Sequence, residues 1–510
     1  MLAKINSCAL VGIDGEIVEV EVDISNGLPS FSLVGLPDIA VKESKERVYS
    51  ALKNNGYEYP MKHITINLAP ADLKKEGPSY DLSIAIGVLL ASQQIKACSV
   101  TEVAFLGELS LNGDIRPIKG VLSMCMALYN KGIKSLILPE ENALEASLIE
   151  GLNILPASHL SQVIKHLTAE ELISPFPCKI NSYFHETIDP GMDLSEVKGQ
   201  ESVKRALEVA AAGGHNLIMI GPPGSGKTMI AKRLPTILPT MTLEESLQIT
   251  KIYSVAGLLP PSTPLIIKRP FRSPHHTISS VSLVGGGRIP KPGEISLSHL
   301  GVLFLDELPE FQKNALEVLR QPLEEKNVTI SRINATLSYP ADFMLIASMN
   351  PCPCGYYGDD ERECNCSPRQ INNYLSKISG PLLDRIDIHV EVKATKYEHL
   401  KGSSSSETSE TIRKRVNRAR EIQLERYRGS KVLFNSHLNP RNIEKFCSLG
   451  PQENQLMQRA FENLKLSARA YHRILKVART IADLEPSEKI NIYHLSEAIQ
   501  YRNLDRKFWG

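Results

Sequence analysis

Three short stretches of this chain carry residue types that could do chemistry on phosphates. In "GPPGSGKT", Gly221, Pro222, Pro223, Gly224, Ser225 and Gly226 lead into Lys227 and Thr228, which is the G-x-x-x-x-G-K-[ST] pattern. Glycines at such spacing let backbone N–H groups turn inward onto phosphate oxygens. The lysine would then reach the β- and γ-phosphates of a nucleotide, and the hydroxyl would take a place on Mg²⁺. In "GVLFLDELPEF", four apolar residues run straight into Asp306 and Glu307. One carboxylate could hold Mg²⁺ through water and the other could polarise an attacking water. An isolated "DE" pair is commonly a solvated turn, and its weight here comes from the phosphate loop. In "FMLIASMN", the strand-like run ends at Asn350, whose neutral amide could orient water against a γ-phosphate. An Asn before a proline (Pro351) is also an ordinary turn former.

These side chains need a scaffold that brings three strand ends to one crevice. "NLIMI", "GVLFLDE" and "FMLIASMN" read as fully buried strands alternating with helices, so an α/β fold with a parallel sheet is expected from 191 to 395. Ligands bind such sheets at the carboxyl ends of their strands. Residues 1–168 form a separate mixed α/β unit: "GEIVEVEVD" and "HITINLAP" alternate as strands, "AVKESKERVYSALKNNG" has helical spacing, and "SLILPEEN" is a further buried strand. A proline-rich linker occupies 169–190. From 396 onward the chain reads as helices only, at 411–427, about 452–465, about 467–484 and 493–502, after the polar joint "KGSSSSETSE".

Bulk properties narrow the classes. At 510 residues the chain exceeds one hydrophobic core, and 42% apolar, 23% charged residues and a net charge of +1 are those of a soluble globular protein. No run approaches the ~18 apolar residues needed to span a membrane, and the N-terminus lacks the apolar core of a signal peptide. Nine cysteines, four of them crowded between Cys352 and Cys366, fit a reducing compartment with one local feature rather than a disulfide framework. The cytoplasm is the default location. Cys352, Cys354, Cys364 and Cys366 form C-x-C, nine residues, C-x-C, a thiolate set suited to tetrahedral Zn²⁺. Free thiols and redox chemistry are the other readings. "TIRKRVNRAREIQLERYRGSK" holds eight basic residues around a face of Ile412, Val416, Ala419 and Gln423, so either a solvated helix or a phosphate contact is open.

With these motifs in view, the chain resembles the ComM/YifB group of magnesium-chelatase-like AAA+ proteins almost end to end. The resemblance lies in "DLSEVKGQESVKRALEVAAAGGHNLIMIGPPGSGKT", "FRSPHHTISSVSLVGGGRIPKPGEISLSHLGVLFLDELPEF", "MNPCPCGYYGD" and "ISGPLLDRIDIHVEV". It implies an ATPase ring, usually of six copies, that moves on single-stranded or branched DNA during uptake and recombination. It also implies that 396–510 is a helical lid of the magnesium-chelatase C-terminal type. Val197 to Gln200 resemble the segment lying on the adenine. Arg385 resembles the arginine finger that reaches a neighbour's γ-phosphate, and Arg469 the second sensor arginine, with Arg473 in reserve; each could instead be an ordinary ion-pair residue. Between the phosphate loop and Asp306 lie 77 residues, Met229 to Leu305. "SPHHTISSVSLVGGGRIPKPGEISLSHLG" there and "NVTISRINATLSYP" beyond resemble pore insertions, in which Lys291, Arg288, Arg332, His275 and His276 could touch DNA; subunit packing is the equal alternative.

The first unit resembles the Lon protease domain, or ChlI-type α/β domain, through "KKEGPSYDLSIAIGVLL" and "FLGELSLNGDIRPIKGVLSMCMALYNKGIKSLILPEEN". Ser79 falls in the nucleophile's context, but Leu122 stands where that family has its lysine, and Lys119 is three residues too early. A serine without a base is an alcohol, so a protease fold without proteolysis is expected. A chelatase subunit inserting metal into a porphyrin and an ATP-dependent protease are the alternatives. The D-x-S-x-S motif of the larger chelatase subunits is absent from the chain.

Overall fold

The computed structural model describes residues 1–96, 100–177, 192–260, 263–287, 290–332, 335–359, 362–394, 407–430, 432–464 and 466–509. Arg288, most of the expected linker and the serine run at 401–406 lie outside the described residues. The chain divides into two compact units: Met1–His185 with Ser246–Ile267, and Glu186–Glu245 with Lys268–Gly510.

In the first unit, alternation of apolar and polar residues builds a seven-stranded mixed sheet. Its order is Ser30–Val34, His63–Ala69, Asp14–Ser25, Leu2–Val11, Val103–Phe105, Ser135–Pro139, Asn153–Ala157. Helix Asp81–Ala91 is buried along nearly its whole length against the two long strands, which explains its unbroken apolar sequence. Helix Val121–Asn130 also packs on strand Asp14–Ser25. Gly15 permits that approach, because a Cβ there would lie 2.6 Å from the Ser123 carbonyl oxygen.

The sequence reading assigns 246–267 to the ATPase core, yet the segment belongs to the first unit. Its apolar side chains find their partners there: Leu265 is buried with Leu122 and Leu148, flanked by Ile149 and Leu247. Ser254 donates to Glu145, which also accepts from the Leu122 N–H at 2.8 Å. Lys251 pairs with Asp14 at 2.5 Å. The Lys119 side chain lies over Gly257, where a Cβ would sit 2.9 Å from its Nζ. Composition cannot reveal which body buries Leu265; that is a tertiary choice.

The second unit holds a five-stranded sheet ordered Phe271–Arg272, Val302–Leu305, Met344–Met349, Leu217–Ile220, Ile388–Glu391, parallel throughout. Two short antiparallel ribbons stand apart from it, Gly285–Gly286 with Lys291–Pro292 and Asn327–Arg332 with Ala335–Pro340. The helical part contains Ser409–Arg426, Pro440–Phe446, Pro451–Leu464, Ala468–Leu484, Ile492–Gln500 and Asn503–Trp509. All but the last of these helices share one core with Glu201–Gly213 and the sheet, and Asn503–Trp509 lies against strand Ile388–Glu391.

Replacing Leu265 with Asp should cost about 3 kcal/mol or more by burying an unpaired carboxylate. The expected outcome is a lower first thermal transition of the full chain and new protease cleavage within 246–267. An unchanged melt would contradict this packing.

Candidate functional site

Strand Leu217–Ile220 is buried throughout and delivers the phosphate loop at its carboxyl end. Gly221 must be glycine because a Cβ would lie 2.1 Å from the Val392 carbonyl oxygen. Gly226 caps helix Lys227–Arg233 from the left-handed region, φ 88°. The Lys227 ammonium donates to the carbonyls of Gly221 and Pro222, both at 2.8 Å, and to Asn350 Oδ1 at 3.1 Å. Burial holds Lys227 below the usual lysine range, while Asp306 and Glu307 pull the other way. The loop, the acidic strand and the Asn350 strand thus converge, as the sequence reading expects, because neighbouring strands end in register: Ile220 lies opposite Met349, and Leu305 opposite Ala347.

The Thr228 hydroxyl donates to Asp306 Oδ2 at 2.6 Å, and Ser348 donates to Oδ1 of the same carboxylate. A hydroxyl and a carboxylate oxygen at one point form the hard donor pair that Mg²⁺ prefers, so these residues fit that ion. Ser348, the residue behind this fixed orientation, is missed by motif reading; it lies two residues before Asn350 and its only signal is a polar side chain in an apolar strand. Glu307 sits at φ 54° and is more than half exposed. Backbone strain of this kind concentrates where a side chain must be aimed. Its carboxylate lies 3.7 Å from His276 Nδ1. His276 therefore faces an acid of the site, where the sequence reading offers it to DNA.

Gln200, at φ 61°, heads helix Glu201–Gly213, and its amide donates at 2.6 Å to the Lys393 carbonyl, just past strand Ile388–Glu391. Val197 is buried in the core of the unit. Lys291 is exposed at its short ribbon, and the Arg332 side chain lies outside the described residues. In helix Ser409–Arg426 the expected apolar face is buried. Three of its bases are committed to carboxylates of the same unit: Arg415 to Glu208 at 2.5 Å, Arg420 to Glu245 at 3.3 Å, Arg426 to Asp483 at 2.8 Å.

Arg385 lies elsewhere. It precedes strand Ile388–Glu391, whose first residue is in register with Leu217, the first of the phosphate-loop strand. It therefore stands at the amino rim of the sheet, while the loop leaves the carboxyl rim. Four strand residues at about 3.3 Å each put roughly 13 Å of sheet between the two rims. Arg385 is buried, contacts Glu324 and the Pro381 carbonyl, and lines a cleft of about 430 Å³. Arg469 lines the same cleft, 63% exposed and 3.6 Å from Asp384. Arg473 is tied to Asp387 at 2.5 Å.

Cys352, Cys354, Cys364 and Cys366 gather with all four sulfurs within 4.8 Å of one another. Three pairs lie at 3.3, 3.6 and 3.6 Å, close to the ~3.8 Å edge of a tetrahedron with Zn–S bonds of about 2.3 Å. The donor set fits zinc. The cysteine loop leans on the phosphate loop, since a Cβ on Gly355 would lie 2.5 Å from Pro223 Cδ. In the first unit, Ser79 is buried and Leu122 is fully enclosed beneath Leu265, with no lysine at that position.

Phosphate loop, acidic strand end, parallel sheet and helical lid together define a AAA+ protein of the magnesium-chelatase type. Family models described as magnesium chelatase, subunit ChlI, match residues 193–400; subunit ChlI of Mg-chelatase, residues 20–142; and magnesium chelatase, subunit ChlI C-terminal, residues 406–502. The chain is 45% identical over 512 residues to the competence protein ComM of Haemophilus influenzae, covering 99% of this chain and 98% of that one. It is 44% identical over 507 residues to the protein YifB of Escherichia coli, again over 99% and 98%. A Lon protease of Brevibacillus choshinensis is 27% identical over 182 residues, 33% of this chain and 23% of its own length. The chain belongs to the ComM/YifB family of magnesium-chelatase-like AAA+ ATPases, with a Lon-protease-like first unit.

A Gly221→Ala substitution should displace the loop at a cost of about 1–3 kcal/mol. Weakened binding of a fluorescent ATP analogue is the expected result, and wild-type affinity would contradict the close approach to Val392.

Proposed function

We propose that this chain is an ATP-hydrolysing motor whose copies assemble into a ring, six being the usual number, and that the ring moves branched or single-stranded DNA. The observation that carries this reading is the separation of Arg385 from the phosphate loop on opposite rims of one sheet. A guanidinium so placed cannot serve its own chain's phosphates, but a neighbouring copy can present a triphosphate to it. The name of the Haemophilus relative, a competence protein, supports a role in the uptake and recombination of transforming DNA, with branch migration as the reaction. The cytoplasm is the proposed location; among the described residues no helix is long and apolar enough to cross a membrane.

In this mechanism Lys227 leaves its carbonyl partners for the β- and γ-phosphates. Thr228 and Asp306 would hold Mg²⁺, which would neutralise phosphate charge when bound. Glu307 accepts a proton from the attacking water, and Asn350 orients that water. The neighbour's Arg385 stabilises charge on the transferred phosphoryl group, and Arg469, in the same cleft, acts from that neighbour too. Gln200, with Val197 behind it, borders the base. Zn²⁺ on the four cysteines would staple a polar loop against the phosphate loop. The first unit serves as a platform rather than a protease, because no lysine stands at Leu122.

Four measurements test this. The Glu307→Gln variant should bind ATP and assemble yet turn over poorly; normal turnover would remove Glu307 from the mechanism. Removing the Arg385 guanidinium should lower turnover by about 10³-fold or more, and purified wild-type protein with ATP and Mg²⁺ should dissociate a synthetic four-way DNA junction. Degradation of casein, or metal insertion into a porphyrin, without any response to DNA would favour the other readings. Metal analysis should find one zinc per chain, lost on Cys364→Ser; equal zinc in both would contradict the cluster.

A further inference from the structure

Arg385 does not wait in open solvent. One terminal nitrogen contacts the Glu324 carboxylate and the other the Pro381 carbonyl, while Nε is buried with no acceptor. A guanidinium can give a carboxylate two parallel bonds; here a donor is left over, and a buried unsatisfied donor is costly. The arginine is held, but not fully satisfied. Glu324 is 54% exposed against 7% for the Arg385 side chain, so the carboxylate occupies the mouth of the cleft.

Glu324 stands apart from the other acids of the cleft. Of the other acids lining the cleft, Asp387 is taken by Arg473 at 2.5 Å and His215 at 3.1 Å. Asp342 is taken by Lys326 at 3.2 Å and His437 at 3.3 Å. Glu324 alone among these three answers Arg385, with the field of Arg469 also upon it. It stands where an incoming anion would stand. It also sits at the end of helix Arg320–Glu325, which turns through Lys326 at φ 58° directly into the ribbon Asn327–Arg332. The Lys326 carbonyl accepts from Ala341 N–H at 2.8 Å and so closes the root of that ribbon.

Resting on the proposed role of Arg385, we propose that Glu324 is a latch: a positioning residue that holds the arginine retracted until a neighbouring copy's triphosphate displaces the carboxylate, and whose release moves the root of the ribbon formed by Asn327–Arg332 and Ala335–Pro340. Phosphate and carboxylate compete for one guanidinium, so the ribbon that resembles a pore insertion is told when a neighbour has loaded. Nucleotide state and ribbon position are then coupled through a single ion-pair exchange.

The full-length chain tests this by steady-state ATPase measurements, with and without DNA, at protein concentrations where assembly is complete. Glu324→Gln should raise DNA-free turnover by about two- to fivefold, the population shift expected from removing one partly exposed ion pair, and should shrink stimulation by DNA by the same factor. Glu324→Asp should stay near wild type. The double variant with Arg385→Ala should match Arg385→Ala alone. Unchanged or reduced turnover in Glu324→Gln, or the same rise in the Arg385→Ala background, overturns the latch. Wild-type protein gives a reading that no folding defect can blur: hydrogen exchange at 320–332 should increase when a slowly hydrolysed ATP analogue binds, and the increase should vanish in Arg385→Ala. Equal exchange with and without the analogue overturns the proposal. Normal turnover in Arg385→Ala would instead remove the shared-site reading itself, whereas an inactive Arg385→Ala beside an unaltered Glu324→Gln removes the latch only.

Discussion

Strand direction is the constraint on which the rest depends. In an all-parallel sheet every strand presents its carboxyl end to one rim, so Lys227, Asp306 and Asn350 must meet there. Arg385 enters the strand Ile388–Glu391 from the other rim, held by backbone pairing of Asp387 and Ile388 to the Asn216 carbonyl at 3.0 Å. No side-chain rotation exchanges these rims. The proposed site, which needs both a phosphate loop and Arg385, would therefore be built from two chains, and a ring would repeat that junction without leaving an open end.

The lid is fastened to the sheet by buried polar contacts rather than by apolar packing alone. His215 bridges Asp387 at 3.1 Å and Thr480 at 2.8 Å, and Asn435 reaches Thr480 at 3.0 Å and Asp483 at 2.9 Å. Burial alone would raise the Asp387 carboxyl, but Arg473 and His215 outweigh it and hold it well below the usual range. Buried ionic networks contribute little net stability compared with apolar packing, yet breaking one partner is expensive. Such contacts suit a joint in which Arg469, on the lid helix Ala468–Leu484, shares a cleft with Arg385, on the loop before the last strand. A displacement of the lid would carry Arg469 with it.

Much of this is legible in the sequence where the signal is local. The phosphate loop, the acidic pair, the buried strands and the helices at 409–426, 451–464, 468–484 and 492–500 follow from spacing that a window of ten or twenty residues contains. The strand Ile388–Glu391 is too short for periodicity, and Pro440–Phe446 is a brief helix between loops. The Arg385–Glu324 pair joins residues 61 apart, and nothing in either neighbourhood announces the other. Ser246–Ile267 carries an ordinary apolar pattern whose burial partner is set by tertiary structure. His276 shows the same limit: a histidine beside a histidine reads as a surface contact until the sheet brings Glu307 to 3.7 Å.

Subunit mixing examines the two-chain site most directly. Lys227→Ala protein lacks a working cradle and Arg385→Ala protein lacks the guanidinium proposed to act in trans, so each alone should be nearly inert. Combined and allowed to exchange, they should regain ATPase activity approaching about one quarter of wild type, because random neighbours pair an intact cradle with an intact arginine at that frequency. Activity in the mixture no greater than the sum of the separate variants, with mixed assemblies demonstrably formed, would contradict a triphosphate shared between chains.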